Sequence, residues 1–317
     1  MNGVTLYEVG PRDGLQNEAA LLPVESKLRL VEALARAGLR RIEIGSFVRP
    51  DWIPQLADTD ELARLLLGPG GPVGPRFSAL VPNRVGLERA AAAGLREVAV
   101  FMSASESHNQ KNTNKSIAES LREFEQLIPL ALERNLTVRG YVSTVWGCPY
   151  EGAVDPRRAL EIAARLRGLG VCEISLGDTI GIGNPAQTRR IVELFLGGAG
   201  EVAAFAPAEL ALHLHDTHGT AMANCLVAYE LGIRTFDTST GGTGGCPYAP
   251  GAAGNLATED LASMLHDMGV ETGIDLDKLI DAGALAQELI GRKLTGRRLQ
   301  AALGRREKSE ARRAGST

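Results

Sequence analysis

The chain has 317 residues, 44% of them hydrophobic, and a formal net charge of −4 at pH 7, enough for one large α/β barrel or two ordinary domains. The mild acidity argues against a nucleic-acid-binding surface. No apolar run approaches the roughly 18 residues that a membrane span needs.

The first run, Val4–Val9, reads as a strand, and it carries no secretory core or Arg-rich leader. Next comes Glu8-Val-Gly-Pro-Arg12-Asp13-Gly-Leu-Gln16-Asn17, then a helical stretch over 23–37. From there one phrase recurs: a helix ending in glycine, followed by a short apolar strand. It appears as Ala37-Gly-Leu-Arg-Arg-Ile-Glu43-Ile44, Ala93-Gly-Leu-Arg-Glu-Val-Ala-Val100, Leu169-Gly-Val-Cys-Glu-Ile-Ser-Leu176 and Leu231-Gly-Ile-Arg-Thr-Phe236. Glycine suits the left-handed position that stops a helix, and β-branched residues suit buried parallel strands. The glycines at 38, 94, 170 and 232 are 56, 76 and 62 residues apart. Each interval holds two βα units, so these four strands alternate with runs over 4–9, 76–81, 136–143 and 208–215. Helical stretches over 83–93, 117–134, 156–169 and 221–231 fill the gaps, with Asn184 and Pro185 poised to start one more. The pattern predicts a single (β/α)8 barrel over about 4–272. A helical extension over about 273–305 and a disordered tail over 306–317 follow. Two doubly wound domains are the alternative.

Cys148, Cys172, Cys225 and Cys246 lie far apart with no CxxC pair, so no disulfide framework is indicated. The chain ends Ala-Gly-Ser-Thr317, which is not a peroxisomal address. The expectation is a cytoplasmic protein.

In Glu209-Leu-Ala-Leu-His213-Leu-His215-Asp216 the two imidazoles fall on one face of a strand, one pleat apart. Two such groups can share a divalent cation when oxygens are near; alone they read better as polar residues at a strand end, each satisfied by backbone. In a barrel, chemistry belongs at the C-terminal ends of the strands. There the sequence brings Asp13 and Arg12 after the first strand, Glu43 on the second, Asp178 after the sixth, the histidines on the seventh and Asn255 after the eighth. Taken singly, Asp13 and Asp178 read as turn residues, Asn255 as a helix cap and Glu43 as a partner for an arginine. Taken together, Asp13, His213, His215 and Asn255 form a mixed nitrogen and oxygen set suited to Mg²⁺ or Mn²⁺. The tetrapeptide Gly-Cys-Pro-Tyr occurs twice, at 147–150 and 245–248, the second inside a glycine-rich stretch with the density of a mobile lid. Spacing does not choose between Cys148 and Cys246 as a thiol that moves a proton.

These motifs resemble the hydroxymethylglutaryl-CoA lyase family: residues 8–17, 45–47, 139–141, 147–152 and 173–181, His213-Leu-His-Asp-Thr217, Gly244-Gly-Cys-Pro-Tyr-Ala249 and Gly254-Asn-Leu-Ala-Thr-Glu-Asp260. The likeness spans roughly 4–295, and the cysteine loop sets this branch apart from related synthases and aldolases. It implies a metal-dependent cleavage of 3-hydroxy-3-methylglutaryl-CoA to acetyl-CoA and acetoacetate. It implies Asp13, His213, His215 and Asn255 as metal ligands, Arg12 and Gln16 at the substrate, and Cys246, rather than Cys148, as the lid catalyst. Glu43, Asp178 and Glu259 match acidic residues of the family, and the base is one of Asp13, Asp178 and His213. A homodimer is expected, with the C-terminal helices capping the barrel or joining the contact. The rival readings are a lyase for a related branched hydroxyglutaryl thioester, a Claisen synthase or aldolase, a two-histidine, one-carboxylate Fe(II) oxygenase, and a metal-stabilised scaffold.

Overall fold

The computed structural model describes residues 3–245 and 254–314. Eight parallel strands close into a barrel in sequence order, the last pairing with the first. They are β1 (Thr5–Glu8), β2 (Arg41–Ser46), β3 (Arg76–Leu80), β4 (Glu97–Ser103), β5 (Thr137–Ser143), β6 (Glu173–Asp178), β7 (Leu210–Leu214) and β8 (Thr235–Thr238). Around them run α1 (Val24–Arg36), α2 (Thr59–Leu67), α3 (Arg84–Ala92), α4 (Glu106–Thr113), α5 (Ile117–Glu133), α6 (Pro156–Gly168), α7 (Pro185–Gly197), α8 (Ala221–Glu230) and α9 (Thr258–Asp267). Two further helices, α10 (Leu276–Ile290) and α11 (Arg297–Ala314), follow the barrel, with α10 packed on α1.

The recurring helix-glycine-strand phrase does one job four times. Gly38, Gly94, Gly170 and Gly232 have φ of 99°, 89°, 105° and 101°, a region where a side chain is strained. In each case the residue after the glycine donates its N–H to a carbonyl five residues back: Leu39 to Leu34, Leu95 to Ala90, Val171 to Leu166 and Ile233 to Ala228. This Schellman closure satisfies an orphan carbonyl and turns a buried apolar residue into the next strand. At the other helix ends Asn83, Asp155 and Asn184 accept a backbone N–H, and Ser116 with Glu119 makes a capping box on α5.

The last helix departs from expectation. It continues to Ala314, whereas the composition suggests a disordered tail from residue 306. Arg, Lys, Glu and Ala all favour helix, and Arg306 reaches Asp281 on α10 at 2.7 Å.

Barrels of this kind usually fill their centre with branched apolar side chains. This one instead holds a column of guanidinium groups and aromatic rings. Arg41 stands 4.6 Å from the Tyr7 ring, and Arg139 stands 4.1 Å from Tyr7 and 4.7 Å from Tyr141. Arg12 completes the column, 5.3 Å from Tyr141. Arg139 is fully buried, as are Tyr7 and Glu43. The column leads from the strand starts to the strand ends, where the candidate residues gather.

Candidate metal centre and its surroundings

The loop after β1 does not make an ordinary turn. Residues Gly10–Gly14 form one π-helical turn with Pro11 at its start, a form that recurs at functional sites. It buries Arg12 and Asp13 side by side. Glu8 anchors this turn: its carboxylate accepts the N–H of Gly10 at 2.8 Å and of Thr240 at 2.9 Å. A side chain at Gly10 would meet Glu8 and Ser239.

His213 lies in β7 and His215 one residue past its end, pointing to the same side as the two-residue period predicts. Their Nε2 atoms are 3.3 Å apart, and each is 3.7 Å from Asp13 Oδ2. These three groups are the one cluster of His, Cys, Asp and Glu ligand atoms found among the described residues. The segment at 254–257 completes the rim by adding backbone bonds between the ends of β7 and β8. Asp216 N donates to the Gly254 carbonyl, Leu256 N to Leu214 and Ser239 N to Leu256. That registers Asn255 opposite His215. Asn255 Nδ2 donates to Asp13 Oδ2 at 2.7 Å and to the Thr243 carbonyl at 3.2 Å. Its Oδ1 is buried with no donor.

The donor set fits a divalent cation. Cis ligands of an octahedral ion with bonds of about 2.1 Å stand about 3 Å apart, close to the separations of the Asp13 and histidine atoms. Two imidazole nitrogens at 3.3 Å cannot face each other as bare lone pairs without a proton or cation to share. The orphan Asn255 oxygen is a neutral acceptor still available beside them.

The electrostatics point the same way. Burial disfavours charge on Asp13, yet the adjacent Arg12, 2.5 Å away, and the two histidines hold its carboxyl well below the usual range. Arg12 also donates through Nε to Glu43 Oε2 at 2.5 Å, and the Tyr141 hydroxyl donates to the same oxygen at 3.2 Å. Burial pushes Glu43 upward against the pull of Arg12, and Glu43 Oε1 has no donor. Gln16 Nε2 donates to Asp13 Oδ1 at 3.2 Å. The residues expected to act together thus meet: Arg12, Asp13, Gln16, Glu43, His213, His215 and Asn255.

Asp178 also sits at this rim, and both its oxygens are occupied by the following turn. Ile182 N donates at 3.1 Å and Gly183 N at 2.8 Å; burial raises its carboxyl pKa while these bonds and His215 lower it. The turn-residue reading describes it well. Glu259 is fully buried in the first turn of α9 and accepts the Gly241 N–H.

Cys246 lies outside the described residues. Its neighbour Gly245 presents a carbonyl that Asn17 Nδ2 reaches at 3.2 Å. Cys148, the other candidate thiol, is buried in its own loop. Its Sγ lies 2.9 Å from Ser105 Oγ and accepts the N–H groups of Tyr150 and Glu151 at 3.3 and 3.4 Å. That sulfur holds a turn together.

Sequence reasoning missed Asp237. Its carboxylate faces His213 Nδ1 at 3.2 Å and receives Arg139 Nη1 and Nη2 at 3.0 and 2.6 Å. Against burial, Arg139 and His213 hold its pKa at about 2. The signal was one residue away, because the eighth apolar run was ended at Phe236.

A family model described as HMGL-like matches residues 3–286. The chain is 48% identical over 297 residues to a hydroxymethylglutaryl-CoA lyase of Bacillus subtilis, covering 94% of this chain and 96% of that one. It is 48% identical over 291 residues to the enzyme of that name from Pseudomonas mevalonii, covering 92% and 94%. A solved HMG-CoA lyase of Acinetobacter baumannii, in complex with coenzyme A and 3-methylmalate, aligns with a TM-score of 0.87 at 37% identity over 95% of each chain. With its closed barrel and rim cluster of one aspartate and two histidines, the chain belongs to the HMGL-like family.

Proposed function

We infer that this protein is a hydroxymethylglutaryl-CoA lyase, a carbon–carbon lyase that cleaves 3-hydroxy-3-methylglutaryl-CoA to acetyl-CoA and acetoacetate. One observation carries the reading beyond its relatives' names: the meeting of Asp13, His213 and His215, with Asn255 hydrogen-bonded to Asp13, beside the buried Arg12 guanidinium. The complex of the Acinetobacter relative with coenzyme A supports a CoA thioester as the substrate.

The cleavage breaks the bond between the thioester α-carbon and the carbinol carbon. The hydroxyl gives up its proton, the electron pair of the breaking bond passes to the thioester carbonyl, and the resulting enolate takes up a proton at carbon. Asp13, His213, His215 and Asn255 would hold a divalent cation, which we assign as Mg²⁺ or Mn²⁺ and which would supply the acidity that lets a tertiary alcohol lose its proton near neutral pH. Arg12 faces the enolate oxygen: its guanidinium stays charged, and Glu43 and Asp13 fix its fork in place. Of the three candidates for the hydroxyl proton, Asp13, Asp178 and His213, the last has no free lone pair while its Nδ1 faces Asp237 and its Nε2 is turned to the cation, which leaves the two carboxylates. Gln16 borders the substrate through its contact with Asp13. Cys246 delivers the proton to carbon once the loop has excluded water. We further propose a cytoplasmic homodimer, with α10 and α11 capping the barrel or joining the contact.

The test is direct. Purified protein mixed with 3-hydroxy-3-methylglutaryl-CoA should release acetoacetate, and EDTA should abolish the release. No acetoacetate, together with free CoA released from pyruvate or 2-oxoisovalerate plus acetyl-CoA, would establish a Claisen synthase instead.

A further inference from the structure

We propose that Asp237, clamped by Arg139, is a positioning residue that fixes the tautomer of His213 so that Nε2 always presents its lone pair to the cation site. The inference rests on the metal-centre reading above and adds a group outside its ligand set. Asp237 is the register partner of His213 across β7 and β8, so two adjacent backbones set the approach of its carboxylate to Nδ1 at 3.2 Å. A carboxylate can only accept hydrogen bonds, and this one is bound to remain a carboxylate. Its two oxygens receive the two Nη groups of Arg139 in a fork-to-fork pair, and Ser175 Oγ donates to it at 3.0 Å. Arg139 in turn donates through Nε to Glu173 at 2.6 Å, and Glu173 is held by Arg41 at 2.9 Å. The chain Arg41, Glu173, Arg139, Asp237, His213 therefore runs up the barrel without a break.

The consequence is local. With Asp237 accepting, Nδ1 must carry the hydrogen, and Nε2 is left unprotonated beside His215 Nε2 and Asp13 Oδ2. His215 has no equivalent partner: its Nδ1 is buried without a hydrogen bond. The two histidines differ in support although they lie one pleat apart.

Asp237→Asn makes the argument sharp. Arg139 Nη1 and Nη2 take one atom of the pair each, so either orientation of the amide sets its hydrogens against one of them. With the amide nitrogen toward His213, Nδ1 must accept and Nε2 must carry the hydrogen that blocks a cation. With the amide oxygen toward His213, a neutral acceptor holds the Nδ1 hydrogen less firmly than the carboxylate does.

Two measurements test this. In ¹⁵N-histidine-labelled, metal-free wild-type protein with neutral imidazoles, the His213 resonances, assigned by their loss in His213→Gln, should show a protonated Nδ1 and an unprotonated Nε2. A protonated Nε2 would overturn the proposal, whatever the effect of Asp237→Asn on folding. Mn²⁺ titration followed by electron paramagnetic resonance should show folded Asp237→Asn binding about 10- to 100-fold more weakly than wild type. Equal affinities would leave Asp237 as no more than a counter-ion for Arg139 and would overturn the role. If wild type binds no Mn²⁺, the metal-centre reading itself fails, an outcome distinct from either result on the tautomer.

Discussion

The two ends of the barrel interior are built from the same materials and finish differently. At the strand starts Arg41 lies between Glu97 at 3.1 Å and Glu173 at 2.9 Å, while the Tyr7 hydroxyl shares Glu97 at 3.3 Å. All four oxygens of those carboxylates have partners, Arg76 and Arg139 completing the set. The atom left over is a donor, Arg41 Nε. At the strand ends Arg12 again sits between two carboxylates, Asp13 and Glu43, with Tyr141 again sharing one of them. There the atoms left over include two acceptor oxygens, Glu43 Oε1 and Asn255 Oδ1. A surplus of buried lone pairs at one end only is where a cation, or a donor group of a substrate, would be stabilised. One end is closed on itself, and the other is unfinished without a ligand.

That contrast predicts that the same substitution separates the two ends in turnover. Arg12→Gln should lower kcat per folded molecule by about 10²- to 10³-fold, the usual cost of one lost donor to a developing oxyanion. It should also lower the melting temperature, because it leaves the buried Asp13 and Glu43 short of a counter-charge. An effect confined to KM would contradict the role in the transition state. Arg41→Gln should cost stability alone. It leaves Glu97 and Glu173 short of a counter-charge, a loss of roughly 3 kcal/mol at the lower edge of the range for breaking a buried ion pair. The lower edge applies because the Arg41 side chain keeps 19% of its exposure. Urea unfolding should show that loss, with kcat per folded molecule unchanged. If Arg41→Gln instead slowed turnover in a fully stable protein, the division of labour between the ends would be wrong.

How much of this could be read in advance depended on the kind of signal. The helix stops were legible because only glycine tolerates φ near 100°, and the same closure recurs at Gly38, Gly94, Gly170 and Gly232. The histidine pair was legible because a strand has a strict two-residue period. Long-range closure was legible only as a sum, from polar clusters all falling at strand ends. The column was not. Arg139, Glu173 and Asp237 are charged residues inside strands, where a buried parallel strand normally reads as an unbroken apolar run, and only the closed topology shows that they meet. Helix α4 escaped for a different reason. Its sequence Glu-Ser-His-Asn-Gln-Lys-Asn-Thr has no apolar stripe, and it is held by the Ser105 cap and by Asn109, which reaches Ser103 N, the Lys115 carbonyl and Ser120 Oγ. The π-turn that buries Arg12 and Asp13 has no sequence signature beyond its proline and glycines. The residue types of the site were therefore legible, and the groups that hold them were not.

The orphan atoms allow a smaller, more selective test of the unfinished end. Asn255→Ala removes the one neutral oxygen offered to the cation together with a hydrogen bond to Asp13. Mn²⁺ affinity should fall on the order of 10- to 100-fold, a range reached even by groups that only support a ligand. The barrel should stay folded, because the 254–257 segment is registered by backbone bonds rather than by this side chain. Unchanged affinity would mean that the Asn255 oxygen is spare, and the contrast between the two ends would rest on Glu43 alone.

Glu259 belongs to neither end and shows a third way to bury a carboxyl. Among the described residues it has no cationic partner: it faces Gly241 N, with Glu8 and Asp260 near enough to disfavour its charge, and burial above all raises its pKa to about 8. At neutral pH it is therefore mostly protonated, a neutral strut under Gly241 and Gly242, whose φ values of 68° and 71° open the glycine-rich stretch. A folded-state pKa above the ordinary carboxyl value means that the native state holds a proton the unfolded chain releases. Its contribution to stability is complete below about pH 4.5 and is lost as pH rises toward 8. Glu259→Gln keeps an acceptor for Gly241 N and removes the titration. From pH 5 to 8 the wild type should lose stability relative to the variant by up to about 1.4 kcal/mol per pH unit, seen as diverging urea midpoints. Parallel midpoints across that range would mean that Glu259 is ionised in the fold, with a charge partner to match, which would bring it into line with the paired carboxylates of the closed end.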